Sequence, residues 1–286
     1  MSCQAVTIDN KKYPELLKKI GKIAPKQLYY KGSWDSEIFK NCLAVVGSRR
    51  MTTYGRQVVE KIVGEAAAQG LTIVSGFMYG VDAASHKAAL KVGGRTIAVM
   101  PCGIERIHPE YQQDLYVEIL NSKGLVISEY EGDAQPAYWT YPQRNRIVAG
   151  LSKAALIVEA GERSGSLITA HLAQKFKRKL FVVPGPVTSE NSKGIMQLIK
   201  EGATPIGSAK DILDFYNLTP GVKQQKKEEF RGIEGEILGR LQIEPMGIDD
   251  LARTLGVPAG QMGMTLSMMQ LKGIIKQEGN KYYINS

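Results

Sequence analysis

The chain is short of cysteine and histidine. Its three cysteines, Cys3, Cys42 and Cys102, are too few and too scattered for a disulfide framework. The three histidines, His86, His108 and His171, stand at unrelated spacings. A zinc knuckle or a His-based metal centre needs ligand pairs at short intervals, so no metal is expected. No apolar run approaches the ~18 residues of a membrane-spanning helix, and residues 1–10 lack the basic-then-apolar pattern of a secretion signal. A cytoplasmic protein with free thiols and no membrane partner is expected. Neither Gly-x-Gly-x-x-Gly nor the Walker pattern Gly-x-x-x-x-Gly-Lys-Ser/Thr occurs, so ordinary dinucleotide and P-loop nucleotide binding lack their signatures and no cofactor is expected.

What is present is a globular composition. Hydrophobic residues make up 43% and charged residues 23%, which disfavours disordered, collagen-like and coiled-coil chains. At about 150 residues per domain, 286 residues suggest two domains. The formal net charge of +9 points to an anionic partner, either nucleic acid or a phosphorylated ligand.

Six short apolar runs rich in Val and Ile alternate with helical stretches, at Cys42–Gly47, Leu71–Ser75, Arg95–Met100, Gly124–Ser128, Ala154–Glu159 and Lys179–Val183. Strands that are apolar throughout, joined by segments long enough for crossover helices, predict a parallel sheet covered on both faces. The expected fold class is α/β, an extended Rossmann-like, doubly wound, mostly parallel sheet over residues 1–216. Residues 13–39 look like an amino-terminal embellishment of it, with an amphipathic helix near Glu15–Ile20 and a strand-like Leu28-Tyr29-Tyr30. A polar stretch over 217–229 reads as a linker. In residues 230–286, helical patterns at Ile233–Gln242, Ile248–Leu255 and Gln261–Lys272 precede a hairpin turning at Gly279-Asn280, which predicts a small winged-helix domain.

That tail holds six Lys/Arg and six Asp/Glu, so the whole net charge resides in residues 1–229. Its candidate recognition helix has four methionines and no basic residue before Lys272, unlike helices that read a groove. Exposed Met would suit a protein partner; gap-filling in a small core is the plainer account.

Several strand ends carry chemistry. Gly47-Ser48-Arg49-Arg50 leaves the first run and enters a helix, a phosphate cradle in which Gly permits close approach and Arg adds bidentate hydrogen bonds. Alternatively Gly47 only makes the turn and the arginines are solvated. Ser75-Gly76 ends the second run, and Asp82 is placed to cap the helix that holds His86, a structural rather than catalytic histidine. Tyr138-Trp139-Thr140-Tyr141-Pro142-Gln143-Arg144-Asn145-Arg146 interleaves aromatics with arginine, as a groove for a single strand does. A buried aromatic patch with Arg144 and Arg146 in internal ion pairs fits equally. Ser164 reads as the cap of a helix whose first amides, at Gly165 and Ser166, face an anion. The basic run from Lys175 to Lys179 that ends this helix is most simply a solvated helix end.

In order along the chain, Gly47-Ser48-Arg49, Ser75-Gly76 with Gly80-Val81-Asp82 and His86, Pro142-Gln143-Arg144-Asn145-Arg146, Glu159-Ala160 with Ser164-Gly165-Ser166-Leu167, and Val183-Pro184-Gly185-Pro186 resemble the DNA-processing protein A family, also called Smf. The resemblance covers roughly residues 10–215 and implies a homodimer that binds single-stranded DNA and loads the RecA recombinase in natural transformation, without catalysis. By position it places Gly47, Ser48, Arg49, Arg144, Asn145, Arg146, Ser164, Gly165 and Ser166 in the DNA pocket. Arg50, Ser75, Gly76, Trp139, Tyr141 and Thr169 complete the candidate contacts. Two other readings are a phosphoribohydrolase-like enzyme with Glu159 as acid or base, and a winged-helix transcription regulator, which the neutral tail opposes.

Overall fold

The computed structural model describes residues 3–218 and 232–284. The chain divides into two compact units, Met1–Gly221 and Val222–Ser286. From residue 219 onward, the expected linker at 217–229 lies outside the described residues.

The first unit is built on one sheet of nine strands: β1 Gln4–Thr7, β2 Gln27–Gly32, β3 Cys42–Val46, β4 Thr72–Ser75, β5 Thr96–Val99, β6 Leu125–Ser128, β7 Ala154–Ile157, β8 Lys179–Val182 and β9 Thr204–Pro205. They lie in the order β1-β2-β6-β5-β4-β3-β7-β8-β9. From β6 to β9 every pairing is parallel, while β1 and β2 add antiparallel strands at one edge. All six apolar runs are strands, and each is buried on both faces save for Lys179 at the start of β8. One apolar cluster, holding Val46, Ile127, Ile147 and Leu180, covers one face. Another, holding Leu43, Ile73, Val81 and Phe181, lies with further clustered side chains on the other. The mostly parallel, doubly wound α/β architecture is therefore present, and β1 is an addition. Its four residues Gln-Ala-Val-Thr bury only Val6, too weak a pattern to read as a strand.

The chain leaves β3 toward β4 on one side and later reaches β7 on the other. At such a switch point the loops diverge and open a crevice outside the carboxyl ends of the strands. Helices Thr53–Val58, Val81–Lys91, Thr140–Leu151 and Gly165–Lys175 all begin at that end. The first runs on through a π turn at Val59–Val63 into Gly64–Ala68.

The second unit is a winged helix with its own core, formed by Ile237, Leu251, Met262, Leu266, Met269 and their neighbours. Helices Ile233–Leu241, Ile248–Leu255 and Ala259–Leu271 precede an antiparallel hairpin, β10 Ile275–Glu278 and β11 Lys281–Ile284. Of the four methionines on its third helix, Met262 and Met269 fill the core, whereas Met264 is 72% and Met268 49% exposed. No described helix is long and apolar enough to cross a membrane.

Candidate nucleic-acid interface

The first wall of the crevice is the turn after β3. A Cβ on Gly47 would stand 2.7 Å from Val81 Cγ2 and 3.1 Å from the Glu159 carbonyl oxygen, so only glycine lets the neighbouring helix approach this closely. Ser48 Oγ accepts the Arg50 N–H at 3.0 Å, and its carbonyl accepts the Val81 N–H at 3.2 Å. Thr52 caps the helix Thr53–Val58 by accepting the Gly55 N–H at 3.1 Å. It also donates its N–H (3.0 Å) and hydroxyl (2.5 Å) to the Glu159 carboxylate, which packs beneath Gly55 and is 6% exposed. The acid or base of the enzyme reading is thus committed to closing a helix end, and it lies outside the crevice lining.

The floor is formed by Asp82 and Arg144, both buried, each lying in the other's electrostatic field. The Arg144 guanidinium donates to the carbonyl oxygens of Gly76 and Val99. Any side chain on Gly76 would overlap both Asp82 and Arg144. Phe77 takes a left-handed φ of 67° to turn the chain here, and Met78 then gives its N–H to Asp82 Oδ2 at 3.3 Å. Asp82 therefore does not cap its helix as expected. Gly80 holds the cap position with a φ of 78°, and the Asp82 carboxylate reaches back to Met78 within the field of Arg144. Burial pushes the Asp82 carboxyl up against the pull of Arg144, and pushes the Arg144 guanidinium down to about 10. His86 is wholly buried, its Nδ1 2.6 Å from Thr96 Oγ1, and burial lowers it to about 3.

The third wall is the amino end of the helix Gly165–Lys175. Ser164 caps it as expected, accepting the Ser166 N–H at 3.3 Å, with its hydroxyl 2.7 Å from that of Ser166. Thr169, 1% exposed, lines the crevice with a buried hydroxyl that has no hydrogen-bond partner among the described residues.

Together these walls enclose a crevice of about 530 Å³. Of the expected contacts it gathers Gly47, Ser48, Arg49, Arg50, Tyr141, Arg144, Asn145, Ser164, Gly165, Ser166 and Thr169. Four others fall outside the lining. Ser75 is buried beneath it, donating to the Val45 carbonyl at 2.6 Å, and Gly76 backs the floor. Trp139 stands edge-on to Tyr130, with ring centroids 6.0 Å apart. Arg146 is ion-paired with Glu129 at 2.5 Å on a side chain only 13% exposed. The helix Thr140–Leu151 turns residue 144 inward and residue 146 toward Glu129, so Arg146 has an internal ion pair, whereas Arg144 is held by backbone carbonyls.

The free cations are Arg49, Arg50 and Arg163, all exposed and without an ion pair among the described residues. Arg49 Cζ stands 5.7 Å from the Tyr79 ring centroid and 5.4 Å from that of Tyr141. Tyr79 in turn faces Tyr111 at 6.4 Å, and the Tyr141 hydroxyl meets His108 Nε2 at 2.7 Å. Arg163, Tyr79 and Tyr111 are the residues the sequence reading missed. Arg163 carried a legible signal, since it directly precedes the Ser164 cap; the tyrosines had none, because folding alone brings them to Arg49. Among the described residues no three His, Cys, Asp or Glu side chains form a metal-binding group.

The family model described as DNA recombination-mediator protein A matches residues 4–217, and the one described as DprA winged helix domain matches residues 223–281. The chain is 31% identical to the Protein Smf of Synechocystis sp., over 98% of this chain and 79% of that protein. It is similar to the solved DNA processing protein A of Streptococcus pneumoniae, at TM-score 0.69 and 38% identity over 75% of this chain and 74% of that one. It is also similar to the Helicobacter pylori DNA processing protein A, solved for its single-stranded DNA binding mode, at TM-score 0.66 and 33% identity over 75% of this chain and 96% of that one.

Proposed function

The chain belongs to the DNA recombination-mediator protein A family, and from that premise we propose that its crevice holds single-stranded DNA by the backbone and delivers it to the RecA recombinase without breaking a bond. The observation that carries this reading is Arg49, an unpaired guanidinium between the rings of Tyr79 and Tyr141 at the mouth of a cation-lined crevice. Arg49, Arg50 and Arg163 neutralise phosphates, and the capped helix end at Ser164–Ser166 offers amides to one of them. Tyr141 and Tyr79 give stacking faces to bases whatever their sequence. The single-stranded DNA named for the Helicobacter pylori relative supports this ligand class. RecA and a second copy of this chain are the partners the family implies; a dimer would let two crevices engage one strand and raise avidity without a new contact.

Anisotropy titration with labelled oligothymidylate at two salt concentrations tests the reading. Arg49→Ala and Arg163→Ala should each weaken binding and flatten log K against log salt by about 0.7 per lost phosphate contact. Unchanged curves for both variants would remove the crevice from the binding path. The phosphoribohydrolase reading gains nothing from a Glu159 held by Thr52.

A further inference from the structure

A dense run of positive charge lies away from the crevice lining. Segments 11–22 and 175–179 contain nine Lys/Arg and one carboxylate, Glu15, a net +8 beside +9 for the entire chain. Folding brings the two together. Arg178 Nη2, on the loop entering β8, donates to the Leu16 carbonyl at 2.9 Å and to the Gly150 carbonyl at 3.3 Å. Ile20 and Phe176 pack against the same apolar core. Around this tie Lys18, Lys19, Lys22, Lys175, Lys177 and Lys179 are all exposed, and none has an ion pair among the described residues.

A helix dipole accounts for Lys175 alone, because Lys177 and Lys179 lie beyond the helix end. Lys177 moreover adopts a left-handed φ of 56° at the position where glycine is favoured, with the Arg178 N–H returning to the Ala173 carbonyl at 2.8 Å. A lysine stands there at a conformational cost, as Lys123 does after the helix Gln113–Asn121.

Helices Thr140–Leu151 and Gly165–Lys175 connect the two regions. Each starts at the crevice and ends at the lysine face, and eleven residues of helix span about 16 Å. We propose that this lysine face is a second contact for the phosphate backbone of the same single strand, engaged after the strand leaves the crevice. The proposal rests on the crevice reading and adds a length to it: a short strand fills the crevice alone, and a longer one gains the lysine face.

The test uses the full chain with oligothymidylates of about 6 and about 30 nucleotides, one near the lower end of ordinary single-strand site sizes and one well beyond the upper. The triple variants Lys175→Gln/Lys177→Gln/Lys179→Gln and Lys18→Gln/Lys19→Gln/Lys22→Gln should each lower long-strand affinity tenfold or more at low salt, and reduce the salt slope by about 2. Binding of the short strand should not change. Lys177→Gly should raise the melting temperature by relieving the backbone, yet still reduce the long-strand slope by about 0.7. Should both triples keep the long-strand slope while Arg49→Ala loses binding at both lengths, the second face is refuted and the crevice stands. Should Arg49→Ala bind normally while the triples lose both lengths equally, the crevice reading fails and the continuous route fails with it.

Discussion

Three arginines that look alike in the sequence have three different tasks. Arg49 is exposed between two aromatic rings, Arg146 is neutralised by Glu129, and Arg144 is buried against Asp82 and two carbonyl oxygens. Arg144→Met takes the guanidinium donor from the buried Gly76 and Val99 carbonyls, so it should cost about 1–3 kcal/mol for each acceptor left unsatisfied, read in urea unfolding. Arg49→Ala should leave the unfolding midpoint within about 0.5 kcal/mol of the parent and lose DNA affinity instead. A second residue-scale effect concerns acid. His86, held near 3 by burial, stays neutral in the folded protein where the unfolded chain takes up a proton at the ordinary value of 6.5. Stability contributed by this group is therefore present above pH 6.5 and is lost as pH falls toward 3, by up to about 1.4 kcal/mol per pH unit. His86→Leu should remove that part of the slope from urea midpoints measured across the range. Asp82, raised by burial, works in the opposite sense, since the folded state keeps its proton after the unfolded chain has released it.

At the scale of elements, the crevice is an arrangement of helix starts. Ser164→Ala removes one cap hydrogen bond and should cost about 1 kcal/mol, read as a lower melting temperature. Thr52→Val should cost more, because it removes a cap and also takes the hydroxyl donor from the buried Glu159 carboxylate. The difference explains what was legible. Ser164 and its helix are neighbours in sequence, so the cap could be read directly. Asp82 stands in the equally familiar position of an acid in a first helical turn, yet the Gly76-Phe77 turn and Arg144 draw its carboxylate away. Local pattern determined the helix start, and a distant cation determined what the carboxylate does. The aromatic and arginine run from Tyr138 to Arg146 was split likewise, with Tyr141 at the crevice and Trp139 outside it.

At the scale of the whole molecule, charge and core are partitioned. The winged helix has a core of its own, and residues 230–286 carry no net charge. Deleting residues 230–286 should therefore leave the salt slope of oligothymidylate binding unchanged and the melting of the first unit intact, as calorimetry would show. A fall in that slope would assign the tail a direct phosphate contact.

The sequence by itself determined the alternation of apolar strands with crossover helices, the glycine turns at their ends and the sign of the charge, because these depend on period, backbone freedom and composition. Tertiary structure alone decided which cations stay free. Glu129 reaches Arg146, and the Gly76 and Val99 carbonyls reach Arg144, only once the strands have paired out of chain order, and Arg178 joins two lysine-bearing segments that the chain keeps far apart. A guanidinium's availability depends on the field of its neighbours in space, and chain order does not specify that field.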